Sequence, residues 1–163
     1  MAGHGVRRQR QAGVTLIEML VVLAVIGVAA GASMLGISAA DRSGRARDEA
    51  VRLARHLALT VDEALISGRS YGLVWDRSGY RIERWMGPDD GWVVPAEDFA
   101  QRHDLPEALQ LGAASGDDPG QSPLVIGPGA IGRGVVFAIS GAGPVWQVAF
   151  DGFAAMPRAA ASP

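Results

Sequence analysis

The segment from Val14 to Ile37 constrains this chain more than any other. It runs for 24 residues without proline, and its only polar side chains are Thr15, Glu18 and Ser33. As a helix it would be about 36 Å long, enough to cross the hydrocarbon core of a bilayer. A leader containing Arg7, Arg8 and Arg10, with no acidic residue, precedes it. Glu18 sits almost at its start, and no further charge follows from Met19 to Ile37. A carboxylate at the centre of a membrane helix costs roughly 2.5–3.5 kcal/mol on insertion scales, so its presence asks for a function.

Two ordinary explanations compete. A cleaved secretory signal has a shorter apolar core followed by a small-residue cleavage site, which Ala29-Ala30-Gly31-Ala32-Ser33 could imitate, but the apolar run is already long by that point. A plain signal anchor would leave Glu18 unexplained. The arginines of the leader predict a cytoplasmic N-terminus by the positive-inside rule, with everything after Ile37 across the membrane, in a bacterium the periplasm. The absence of cysteine is compatible with that compartment.

Gly13-Val14-Thr15-Leu16-Ile17-Glu18, followed by the apolar run from Met19 to Gly27, resembles the class III signal of type IV pilins and type II secretion pseudopilins. The resemblance implies that a prepilin peptidase removes residues 1–13, cutting between Gly13 and Val14. Val14 then becomes the N-methylated first residue and Glu18 the fifth. Phenylalanine is usual at the first mature position, and valine departs from it.

Elementary electrostatics suits Glu18 to a role in assembly. Near the helix start its carboxylate lies close to the interface and to the positive end of the helix dipole. There it can attract the terminal amine of a neighbouring subunit and set axial register; the alternative is a glutamate reaching toward headgroups. Gly27 and Gly31 form a small-xxx-small pair that permits close helix approach, although such pairs also arise by chance in apolar segments.

The 163 residues hold 15 basic and 17 acidic side chains, and every basic one is arginine. Loss of the leader takes three basic residues and no acidic ones, leaving 12 against 17 and a formal charge of −5. A surface built to hold phosphates needs a clustered basic excess, so nucleic acid is a poor partner. The length suits one domain beyond an anchor helix.

Past the membrane-length segment the apolar period is helical again. Ala46, Ala50, Leu53, Ala54, Leu57, Val61, Ala64 and Leu65 recur at three- and four-residue steps, and Gly68 is a suitable C-terminal cap. Strand-like segments follow: Ser70–Trp75 and Tyr80–Trp85 as a hairpin, Trp92–Val94, Leu124–Ile126, Val135–Ile139 and Val145–Phe150. Leu105, Leu109 and Leu111 mark a short helix or strand. The expected fold class is therefore α+β: a long N-terminal helix, its first half transmembrane, packed on an antiparallel β-sheet. The expected division is a leader at 1–13, a transmembrane helix at 14–37, a periplasmic half-helix at 38–68 and a β-rich periplasmic domain at 69–163.

Within the pilin superfamily the globular part is similar to the H-type minor pseudopilins, the GspH/FimT-like group. The similarity rests on the 46–67 helix with Asp48-Glu49-Ala50 and Asp62-Glu63-Ala64, the Gly68-Arg69 exit, the Tyr80 hairpin and the late Val145–Phe150 strand running into Asp151-Gly152. It implies a minor pseudopilin near the tip of a periplasmic pseudopilus, linking the tip complex to the major pseudopilin body for export of folded proteins. The implied partners are the I, J and K minor pseudopilins, the major pseudopilin, the prepilin peptidase and the inner-membrane assembly platform. A FimT-like minor pilin serving pilus assembly or DNA uptake is the alternative; the apolar tail from Ala154 to Pro163 lacks the basic ending of uptake members.

Little else suggests chemistry, and no catalytic, cofactor-binding or metal residue is assigned. Gly127-Pro128-Gly129-Ala130-Ile131-Gly132 matches GxGxxG, but the strand-like Val135–Ile139 stands where a dinucleotide site needs a helix. His56 is expected to be solvated among charged helix residues. Asp89-Asp90, Glu97-Asp98 and Asp117-Asp118 offer oxygens for calcium without EF-hand spacing. Trp75, Trp85, Trp92 and Trp146 are expected mainly in the core, with one or two free to contact neighbouring subunits.

Overall fold

The computed structural model describes residues 12–114, 123–129, 134–141 and 143–161, with helix side chains described over 16–31 and from 44 onward. The chain divides into two compact units, Met1–Ala40 and Asp41–Pro163. Helix α1 spans Ala12–Ser67.

In the second unit the heptad-like spacing does what it predicts. Ala46, Ala50, Leu53, Ala54, Leu57, Val61 and Ala64 are buried along one stripe of α1. Each leucine there contributes on the order of 1.5–3 kcal/mol by leaving water. Thr60 lies in the same stripe, and its hydroxyl is satisfied by donating to the His56 carbonyl at 2.7 Å. Leu65 departs from expectation. It is exposed, because at this end of the helix the stripe is centred on Val61 and Ala64 and Leu65 falls on its flank. Gly68 closes the helix with φ 68° and donates its N–H to the Ala64 carbonyl at 3.0 Å.

The β-part forms two antiparallel sheets rather than the single sheet expected. The first takes β1 (Tyr71–Asp76), β2 (Gly79–Trp85), β3 (Trp92–Val93), β4 (His103–Asp104) and β6 (Leu124–Ile126) in the order β3-β2-β1-β6. β4 also pairs with β2, so β3 and β4 share one edge of it: β3 at Arg84 and Trp85, β4 at Gly79 and Tyr80. The second sheet orders β5 (Leu109–Ala113), β7 (Val135–Gly141), β8 (Trp146–Phe150) and β9 (Ala155–Ala159) as β5-β7-β8-β9. A 3-10 turn at Asp98–Ala100 precedes β4.

The core lies where the α1 stripe meets the inner faces of the two sheets. Leu73 and Ile82 from the first sheet and Phe137 and Val148 from the second are fully buried. Trp75 of β1 meets Phe137 of β7 edge to face, ring centroids 5.3 Å apart, joining the sheets through an aromatic contact.

Candidate functional site

The residues that carry the leader resemblance lie in the first unit. The α1 backbone begins at Ala12, so Gly13, Val14 and Thr15 are in its first turn. Side chains from Leu16 to Gly31, including Glu18, are exposed. A Cβ added at Gly27 or Gly31 would meet nothing within 4 Å, so this face has room for a close neighbour. The stretch with described side chains is shorter than the roughly 20 residues a span requires, and among the described residues no helix is long and apolar enough to cross a membrane. The 24-residue apolar run belongs to the sequence as a whole.

In the second unit the structure brings together four polar side chains far apart in sequence. Glu49 and His56 come from α1, Tyr80 from β2 and His103 from β4. His103 Nε2 lies 2.6 Å from Glu49 Oε2, and Tyr80 Oη lies 2.9 Å from His56 Nδ1. The two imidazoles stand edge to face with centroids 6.3 Å apart. Glu49, at 9% exposure, is one of the few buried charged side chains, and its pairing answers the cost of burial.

His56 therefore corrects the expectation of a solvated side chain: it is half-buried and hydrogen-bonded. Burial is the main cause that holds its pKa below the ordinary 6.5, and the neighbouring His103, Arg52 and Arg55 lower it further while Glu49 opposes them. Burial likewise raises the Tyr80 phenol far above its ordinary range. A phenol that keeps its proton donates to the neutral imidazole, so the Tyr80–His56 bond ties α1 to β2 as His103–Glu49 ties α1 to β4.

The β4 segment is held a second time from outside. Arg102 reaches Asp76 at 2.9 Å and Asp104 at 2.7 Å, and donates to Ser78 Oγ at 2.8 Å. Asp76 also accepts the Ser78 and Gly79 amides, at 2.7 and 3.0 Å, which fixes the β1–β2 turn. Its carboxyl is held well below the usual carboxylate range, chiefly by the Arg102 hydrogen bond. Tyr80 and His103 are neighbours only through a two-residue strand pairing. No period in the sequence announces it, which is why the cluster was not foreseen.

The remaining candidate motifs stay apart. Gly127–Gly129 form the loop after β6, residues 130–133 lie outside the described residues, and β7 is a strand. Asp117 and Asp118 also lie outside the described residues. Glu97 pairs with Arg84 at 3.5 Å, and among the described residues no group of three or more metal-ligating side chains converges.

Comparison with known proteins bears on both units. A family model described as "Prokaryotic N-terminal methylation motif" matches residues 8–34. Type II secretion system protein H of Escherichia coli is 33% identical over 129 residues, covering 72% of this chain and 73% of that protein. The chain belongs to the type II secretion system protein H family. The Pseudomonas aeruginosa protein of the same description is 36% identical over 99 residues, 61% of this chain, though the match spans only 56% of the relative.

The fold of the protein H family agrees. The minor pseudopilin EpsH from the type 2 secretion system of Vibrio cholerae superposes with a TM-score of 0.57 at 21% identity, covering 72% of this chain and 97% of that one. The solution structure of Escherichia coli GspH gives 0.58 at 23% identity, covering 72% and 90%. The chain thus joins an N-terminal methylation motif to a globular unit with the fold of these solved protein H structures.

Proposed function

We propose that this protein H family member works by assembly rather than catalysis, entering a short periplasmic pseudopilus near its tip. There it joins the I-, J- and K-type minor pseudopilins to the major pseudopilin body, so that the filament can drive folded proteins through the outer membrane. Before assembly the chain sits in the inner membrane through residues 14–37, N-terminus cytoplasmic and residues 38–163 periplasmic. The prepilin peptidase cuts between Gly13 and Val14 and methylates Val14. The inner-membrane assembly platform receives the mature subunit, whose Glu18 pairs with the terminal amine of a neighbour.

The observation that carries this reading is the union, in one chain, of the methylation motif at residues 8–34 with a globular unit of the protein H fold. Its test is co-expression of the full chain with the prepilin peptidase and the other pseudopilins of its own system. The reading expects a mature chain of 150 residues beginning at methylated Val14 and co-purification with those subunits. An uncut chain that co-purifies with none of them would overturn it.

A further inference from the structure

The outer side of the first sheet is more apolar than a solvated sheet face should be. Trp85 and Trp92 form a cross-strand pair on it, with ring centroids 5.3 Å apart and planes at 58°. Trp92 extends across β2 to the β1 backbone at Gly72. A Cβ there would come within 2.9 Å of Trp92 Cζ3 and 2.6 Å of Pro123 Cβ, so only glycine leaves both groups their place. Val125 faces Gly72 from β6. The result is an apolar strip across the sheet from Trp85 through Trp92 to Pro123 and Val125, with Met86 at the hairpin end. Trp85, Met86 and Val125 remain 40%, 47% and 45% exposed.

Charge indicates what covers the strip. Both arginines of β2 are already paired, Arg81 with Glu83 at 2.7 Å and Arg84 with Glu97 at 3.5 Å. The hairpin closes through the Met86 amide on the Gly91 carbonyl at 2.9 Å, and the exposed Asp89 and Asp90 lie in the short loop that joins the two tryptophan-bearing strands. Among the described residues neither aspartate has an ion pair. An indole face next to free carboxylates attracts a guanidinium or ammonium through its quadrupole and through charge. It repels phosphates, whether of nucleic acid or of anionic lipid.

We propose that this strip is a docking surface for a neighbouring pseudopilin, and that the docking segment places a cationic side chain, surrounded by apolar ones, over Trp85 and against Asp89 and Asp90. The proposal rests on the reading of the chain as a pseudopilus subunit. It deepens that reading by naming a surface and the chemistry of what fits it.

The test uses the full chain with a photo-crosslinking amino acid at Met86, co-expressed with the other pseudopilins of its system. The expected crosslink joins one of them at a segment bearing arginine or lysine. Its yield falls about tenfold, the equivalent of about 1.4 kcal/mol, in the Asp89→Lys/Asp90→Lys background, which touches no core contact, and also in Trp85→Ala. A yield unchanged by the charge reversal would overturn the proposal. So would a crosslinked segment without a basic residue, or a chain that co-purifies with pseudopilins yet gives no crosslink at Met86. Loss of all co-purification from the unsubstituted chain would instead contradict the pseudopilin reading itself, and this surface with it.

Discussion

His103 Nε2 lies 2.6 Å from Glu49 Oε2, and this one contact fastens one of the two shortest strands of the first sheet to the buried stripe of α1. β4 has only two residues, too few for its ladder alone to hold it. Removing Glu49 leaves the largely buried His103 ring without its partner. Glu49→Ala should cost about 1.5–3 kcal/mol, the range for a hydrogen bond to a charged group. Urea unfolding of the full chain, followed by tryptophan fluorescence, checks this. In a double-mutant cycle with His103→Ala the two losses should be markedly non-additive.

The same cluster predicts how stability follows pH. The folded-state pKa of His56 is lowered from 6.5, so near and below that value the unfolded chain binds more protons than the folded one. Stability should therefore fall as pH drops through 6.5 and be flat with respect to this group above it. Burial, His103, Arg52 and Arg55 all disfavour the imidazolium, and Glu49 alone of the groups facing it opposes them. Thermal midpoints of the wild type and of His56→Gln, measured between pH 7.5 and 5.5, should converge in slope only if His56 is not the group responsible.

Gly79 is where β4 meets the β1–β2 turn, and a Cβ there would stand 2.3 Å from the His103 carbonyl oxygen. Backbone cannot yield as a side chain can, so Gly79→Ala should cost about 1–3 kcal/mol and free β4. Hydrogen exchange should show lost protection at the Leu105 amide, which donates to the Ser78 carbonyl at 2.7 Å.

Glu18→Ala removes the charge without shortening the apolar run. Membrane insertion should persist, and should even be easier because the burial cost of a carboxylate disappears. Incorporation into the pseudopilus should decline. Carbonate extraction reports the first and crosslinking to neighbouring pseudopilins the second; unchanged crosslinking would remove the assembly role of Glu18.

What could be read in the sequence depended on the range of the interactions. The α1 stripe from Ala46 to Ala64 and the strands flanking the Asp76–Gly79 turn are local patterns, and both lie where periodicity and turn chemistry put them. The division into two sheets was not legible. Sheet order depends on which edges meet, as when β6 joins β1 after an intervening stretch of more than forty residues. β9 was missed because Ala155–Ala159 is largely exposed and contains Pro157, a residue tolerated on an edge strand that erases the strand signal. The Glu49–His103 and His56–Tyr80 contacts were hidden for the same reason as sheet order: each joins residues 54 and 24 positions apart.

The measurement that bears most directly on the account is secretion itself, in the organism of this chain with its gene deleted. The account predicts that folded secretion substrates accumulate in the periplasm, that the full chain restores their release, and that Gly13→Leu, expected to prevent removal of the leader, does not. Normal release from the deleted strain, or full rescue by the uncut variant, would contradict it.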